Sequence, residues 1–177
     1  MKRVLLSFAL TVLGASVAAA QAGVTKDKVE GITNLSRVGT TVACAGAVTP
    51  AAVAGIKKMG FASIINLRMP NEPGNDLAAE EAAAKAAGIK FVNIPMNSTM
   101  PEAASADRFL RVIAEPSSEP AFIHCASGNR ASAVWLIKRV VIDKWDLAKA
   151  QEEATALGLT SPVLKQFAAD YIQAHSK

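Results

Sequence analysis

The sequence predicts an α/β fold, with a central, mostly parallel sheet flanked by helices. Three observations carry this. Short β-prone runs alternate with helical patterns from about residue 40 onward, as in a sheet with crossover helices. One run, Phe61 to Leu67 (FASIINL), is apolar throughout apart from Ser63 and Asn66, as in a strand buried on both faces. The chain has 177 residues, 51% hydrophobic and 19% charged, which suits one ordinary core and excludes a disordered tail.

The elements follow in order. Residues 1–22 (MKRVLLSFALTVLGASVAAAQA) read as a secretory signal peptide. Lys2 and Arg3 form its positive start, Val4 to Val17 is apolar or small, and Ala20 or Ala22 ends a small-x-small cleavage site. The apolar run is short for a membrane span, which needs about 20 residues. A single domain, 23–177, is therefore expected in the periplasm or outside the cell, with no membrane attachment after signal removal. Residues 23–37 read as polar and irregular. Thr40 to Cys44 is a short strand. Thr49-Pro50 opens a helix over 50–59, since proline suits the first helical position. The strand 61–67 follows, then a loop marked by Pro70, Pro73 and Gly74. Asp76 caps a helix over 77–87 that Gly88 stops.

Lys90 to Ile94 is the next strand, ended by Pro95, and Asn97 to Pro101 is a loop. A helix over 104–114, a turn over 116–120 and a strand over 121–124 come next. Helices over 131–144, 146–157 and 161–175 complete the chain, the last two separated by Gly158. The expected core comprises Ile64, Ile65, Leu67, Phe91, Ile94, Phe109, Leu110, Ile113, Phe122, Ile123, Val134, Leu136, Ile137, Val140 and Val141. Trp135, Trp145 and Tyr171 read as packing residues. Setting Lys2 and Arg3 aside leaves 17 basic residues against 15 acidic, scattered along the chain, and 5% are aromatic. Neither value favours a nucleic-acid partner.

One segment carries chemistry, Pro120-Ala-Phe-Ile-His-Cys-Ala-Ser-Gly-Asn-Arg-Ala-Ser132. An apolar strand runs into His124-Cys125, and a helix follows. A tight strand-to-helix turn points successive backbone N–H groups at one spot, at the positive end of the helix dipole. Gly128 permits the close backbone approach such a nest needs. Cys125 at its mouth is favoured as thiolate, and Arg130 adds a fork of donors for an oxyanion. The pattern is that of a nucleophile aimed at a bound anion. The bland alternative is a buried structural cysteine. Metal binding is disfavoured: there are only two histidines, and the two cysteines lie far apart in the chain. No cofactor is expected.

His-Cys-x-x-Gly-x-Arg after a strand resembles the signature loop of cysteine-dependent phosphatases and of rhodaneses. Together with Gly60-Phe61 through Asn66-Leu67-Arg68, Glu72-Pro73-Gly74, and Gly88-Ile89 through Ile94-Pro95, it resembles the β-lactamase-hydrolase-like phosphatase-like family, within the dual-specificity phosphatase superfamily. The resemblance spans roughly residues 36–158. It implies a cysteine-phosphatase-like fold with Cys125 as nucleophile beside His124, and Arg130 as oxyanion ligand. Ala126, Ser127, Gly128 and Asn129 form the amide cradle. A phosphorylated small molecule or protein is the implied substrate.

The departures are informative. The family superfold usually places five residues between Cys and Arg, and this chain has four, closer to a rhodanese loop. Ala131 replaces the usual hydroxyl residue, with Ser132 next. The acid expected after the Ile94-Pro95 strand end is missing, and Glu102 is the candidate substitute; its other reading is a solvated helix-start carboxylate. Arg68 is expected to hold the substrate anion or the loop, with Glu72, or else to form a surface pair. Asn66 braces the loop or serves the turn. Cys44 either pairs reversibly with Cys125 or is a small buried residue. Three functions stay open: a phosphatase working through a phosphocysteine, a sulfurtransferase working through a Cys125 persulfide, and a non-catalytic oxyanion-binding module.

Overall fold

The computed structural model describes residues 23–175, so the expected signal peptide lies outside the described residues. It contains six strands: β1 (Val24–Val29), β2 (Ile32–Val38), β3 (Val42–Ala45), β4 (Ser63–Asn66), β5 (Lys90–Asn93) and β6 (Ala121–His124). The helices are α1 (Val53–Lys58), preceded by a 3-10 turn at Pro50–Ala52, α2 (Leu77–Ala87), α3 (Ala103–Ile113), α4 (Asn129–Val141), α5 (Leu147–Leu157) and α6 (Pro162–His175). The strands form one sheet in the order β1-β2-β3-β6-β4-β5. The pairs β3–β6, β6–β4 and β4–β5 are parallel, whereas β1–β2 and β2–β3 are antiparallel.

The antiparallel edge corrects the reading of residues 23–37 as irregular. They form a hairpin that turns at Gly31, where φ is +75°. Lys26, Asp27 and Lys28 obscure β1 because it is an edge strand with no face fully buried. β3 begins two residues later than expected, since Thr41 N–H donates to Val38 O and closes a turn first. α4 begins at Asn129 rather than 131, which puts Arg130 in the first turn of a helix. α2 matches its expected span. Asp76 accepts from Ala79 N–H, and Gly88 ends the helix in the left-handed conformation at φ +63°.

Two apolar layers sandwich the sheet. Ile65, Ile123 and Cys125 pack against α3, α4, α5 and α6, with Trp135, Phe109 and Leu164 among the fully buried side chains. Ile64 and Phe122 face the other way, against α1 and α2. Side chains alternate between faces along a strand, so β4 and β6, buried throughout, feed both layers. Phe91, Leu110, Val140 and Val141 are partly buried at the margins of these layers. Ala45, His124, Asn66 and Asn93 stand in register across β3, β6, β4 and β5. They form a row along the carboxyl ends of the parallel strands, where α/β sheets place their ligands. No described helix is long and apolar enough to cross a membrane.

Candidate active site

Residues 125–130 form a tight loop between β6 and α4. Cys125 is buried, and its sulfur accepts from Gly128 N–H at 3.2 Å. Gly128 sits at φ +98°, a region closed to most side chains, and caps the start of α4. Among the described residues, the N–H groups of Ala126, Ser127 and Asn129 donate to no protein acceptor. Grouped at a helix start, they are free donors at the place where the sequence reading expects an anion cradle.

Neighbouring segments hold the loop from outside. Ala47 N–H donates to Ala126 O at 3.2 Å, and Asn34 Nδ2 donates to Ser127 O at 3.3 Å. Gly46 forms a bridge with Ser127. A Cβ on Gly46 would stand 3.0 Å from Ala126 O, so the close approach needs glycine. The Asn129 side chain turns away from the cradle. Its Oδ1 accepts from Thr160 N–H at 2.7 Å and Ser161 N–H at 2.8 Å, fastening the start of α6. Its Nδ2 donates to Ser127 Oγ at 3.5 Å, so the backbone N–H is the Asn129 donor left without a protein partner.

Arg130 is buried at 3% exposure and grips Glu72 with two bonds: Nη1 to Oε1 at 2.5 Å and Nη2 to Oε2 at 2.9 Å. Nη1 also donates to Met96 O at 2.8 Å and Leu67 O at 3.1 Å. The donors not engaged there, Nε–H and one hydrogen of Nη2, are left for an oxyanion. Burial opposes the charge of Arg130, but Glu72 and the Cys125 sulfur beside it outweigh that and raise its proton affinity. For Glu72, partial burial pushes the carboxyl up. Arg130, the Met69 N–H and Arg68 overcome this and bring its pKa down to about 2. Glu72 is therefore ionised throughout the neutral range and donates no proton there.

Arg68 departs from its expected role at the substrate. It is 4% exposed, and its guanidinium is turned into its own loop. Nε meets Glu72 at 3.3 Å, Nη1 donates to Gly74 O at 2.9 Å, and Nη2 to Pro73 O at 2.5 Å. Of its alternatives, holding the loop is the one this geometry supports. Asn66 is a brace as well, accepting from Arg68 N–H at 2.7 Å.

His124 also stands apart from its expected catalytic place. Its ring lies near Phe122, on the α2 side of the sheet, while Cys125 belongs to the opposite layer. Alternation along β6 enforces this, so the imidazole does not touch the reacting atoms. Glu102 is exposed at the N-cap of α3, and its side chain makes no capping bond. No described hydrogen bond or ion pair joins it to Cys125 or Arg130. Cys44 and Cys125 are both free and buried. Burial pushes the Cys44 thiol up, a hydrogen bond with Ser132 opposes this, and nearby Cys125 adds to the rise, so Cys44 stays protonated.

The sequence profile described as "Beta-lactamase hydrolase-like protein, phosphatase-like domain" matches residues 34–142. The chain belongs to this family. Beta-lactamase hydrolase-like proteins from two strains of Xylella fastidiosa, Temecula1 and 9a5c, are each 37% identical over 105 residues. That stretch is 57% of this chain but 23% of theirs, so the chain spans about a quarter of the relatives' length. TpbA of P. aeruginosa superposes with a TM-score of 0.63 at 20% identity, over 88% of this chain and 91% of that one. The core catalytic domain of the PP-IP phosphatase SIW14 from S. cerevisiae gives 0.65 at 19%, over 81% and 88%. The fold of this phosphatase-like domain is that of the cysteine phosphatases.

Sequence reasoning missed Gly46, Asn34, Asn75 and Glu80, which brace the site from neighbouring segments. Nothing in their local pattern marks them. Strand pairing brings Asn34 and Gly46 to the loop, and the packing of α2 brings Glu80 and Asn75 to Asn66.

Proposed function

We propose that this phosphatase-like domain hydrolyses phosphoesters through a phosphocysteine on Cys125. One observation carries the reading: a buried cysteine starts a tight loop in which the Ala126, Ser127 and Asn129 N–H groups have no protein partner, next to an arginine with donors left over. The Cys125 thiolate attacks phosphorus, forming an S–P bond as the bond to the leaving oxygen breaks. Arg130 and the amides of 126–129 hold the equatorial oxygens as their charge rearranges. Water then cleaves the S–P bond, giving inorganic phosphate and the thiolate. The leaving oxygen takes a proton in the first step, for which Glu102 is the candidate donor. Without a donor, a poor leaving group loses a factor of about 10²–10⁴.

A cleft of about 770 Å³ adjoins the loop at Ser127 and Asn129, and Lys26, Asp27, Lys28 and Glu30 also line it. We assign it the remainder of a phosphorylated small molecule or peptide. The reaction is placed outside the cytoplasm, on the strength of residues 1–22.

A second reading has a specific observation behind it. Four residues rather than five separate Cys125 from Arg130, and Glu72, the carboxylate gripping Arg130, stays ionised. A sulfurtransferase passing sulfur through a Cys125 persulfide needs no proton donor. The deciding experiment is p-nitrophenyl phosphate hydrolysis by the reduced protein lacking residues 1–22, beside Cys125→Ser, between about pH 4.5 and 8. Hydrolysis abolished in the variant supports the phosphatase. Equal or absent hydrolysis in both overturns it, and sulfur transfer from thiosulfate to cyanide then becomes the leading assay.

A further inference from the structure

We propose that Glu80 is a positioning residue. Through His124 and Asn66 it locks the strand that leads into Cys125 to the loop that carries Glu72, and so sets Arg130 against the nucleophile. The proposal deepens the phosphatase reading and borrows its activity assay.

Glu80 lies on α2, which turns Ala78, Glu81, Ala82, Lys85 and Ala86 to solvent and buries Ala84. Unlike Glu81, Glu80 is turned inward and is 2% exposed. Its Oε1 stands 2.8 Å from His124 Nε2, and its Oε2 accepts from Asn66 Nδ2 at 2.8 Å. The His124 contact is short yet too oblique for a full hydrogen bond, and His124 Nδ1 has no partner among the described residues. Taking a carboxylate and an imidazole out of water is costly, and apolar residues of similar volume commonly serve stability as well or better. What this arrangement supplies is geometry.

Hydrogen bonds, together with the close Glu80–His124 contact, form a closed circuit. His124 and Asn66 are register partners at the ends of β6 and β4. From Asn66, one arm accepts Arg68 N–H at 2.7 Å, and another reaches Asn75 Oδ1 at 3.2 Å. Asn75 Nδ2 in turn donates to Met69 O at 2.9 Å, so both ends of the loop between β4 and α2 are pinned. Within that loop, Met69 N–H and Arg68 fix the Glu72 carboxylate, which holds Arg130. Arg130 returns to Cys125 through the first turn of α4. Glu80 closes the circuit from the sheet face opposite the nucleophile.

The test uses the full protein after signal removal. Glu80→Gln keeps the shape and an acceptor for Asn66 but alters the atom facing His124. With p-nitrophenyl phosphate, kcat is expected to fall about tenfold or more while KM stays within about twofold, since Arg130 alignment counts most in the transition state. Tungstate, an oxyanion that uses the same donors, should bind at least about fivefold more weakly by calorimetry. Combining Glu80→Gln with Glu72→Gln should add little to the loss from Glu72→Gln alone, because both act on Arg130 through one loop.

Unchanged kcat and tungstate affinity in folded Glu80→Gln overturn the proposal, even if the melting temperature drops. Losses that multiply independently with Glu72→Gln overturn it too. Asn75→Ser probes the half-exposed far end of the circuit if Glu80→Gln does not fold. A smaller drop in kcat at constant KM is expected there, and wild-type values overturn the proposal. A wild-type protein without Cys125-dependent hydrolysis sinks the phosphatase reading instead, and tungstate affinity alone then decides the role of Glu80.

Discussion

At the scale of single residues, the site depends on two positions that do no chemistry. Gly46 lets the chain after β3 pass against the loop. Its absent Cβ would stand 3.0 Å from Ala126 O and 3.1 Å from both the Cβ and the carbonyl oxygen of Thr33. Those neighbours are largely backbone, so they cannot swing aside. Gly46→Ala should therefore cost about 1–3 kcal/mol, as overpacking does. In a chain of this size that is about 2–4 °C of melting temperature per kcal/mol. The displaced loop should also bind tungstate more weakly, and unchanged affinity would show that the loop absorbs the methyl group. Glu72 is the second position. Its pKa falls from 4.5 to about 2 in the fold, so the folded state holds the carboxylate and the unfolded state binds the proton more readily. The stability this contributes is fully present above about pH 4.5 and is lost as pH falls toward 2. Urea midpoints should show wild type well above Glu72→Gln at pH 7, with the gap narrowing on acidification through that window. A gap independent of pH would mean that the pair with Arg130 does not carry this stability.

At the scale of elements, α6 is tied to the candidate site by one side chain. Asn129 Oδ1 takes the N–H groups of Thr160 and Ser161 and the Thr160 hydroxyl, at 2.7, 2.8 and 3.2 Å. It pins the two residues ahead of α6, whose own N-cap is Ser161 with Oγ accepting from Leu164 N–H at 3.4 Å, so Asn129→Ala should cost about 0.5–1.5 kcal/mol. Amide exchange at Thr160 and Ser161 should accelerate, while the cradle, built from backbone, should keep its tungstate affinity. An equal loss of affinity would show that α6 props the loop. The same elements mark what sequence makes legible. α2 could be read to its ends because both stops are local: Asp76 caps it, and Gly88 adopts a conformation that other residues resist. Cys125, Arg130 and the intervening amides were legible because strand, nest and helix are consecutive in the chain. His124 misled because adjacency in sequence places it next to Cys125, whereas alternation sends its ring to the other layer. Arg68 looked like an anion ligand until Pro73 O and Gly74 O, supplied by its own loop, took its donors. The hairpin β1–β2 was illegible for a different reason. β2 gains its order from pairing with β3 and β1 from pairing with β2, while composition alone offers Lys26, Asp27 and Lys28 to solvent.

At the scale of the whole molecule, the sheet has a parallel half that carries the site and an antiparallel half that ends it. β1 is the outermost strand on that side, and it carries the marks of a protected edge: charges along it and an irregular register between Asp27 and Val29. Removing residues 23–29 would make β2 the edge, with Leu35 and Val38 already buried beneath it and no charge run to discourage pairing. The loop would keep its supports, since Asn34 lies on β2 and Gly46 follows β3. The shortened protein should therefore retain the kcat of the longer one for p-nitrophenyl phosphate. It should also associate with rising concentration, which light scattering on a sizing column would register. On the proposal that a phosphopeptide fills the cleft beside Ser127, its KM should rise, because Lys26 and Lys28 leave with the strand. A shortened protein that stays monomeric and binds phosphopeptide as before would assign β1 neither role. One that loses kcat would move the support of the catalytic loop outward, from β2 to the edge itself.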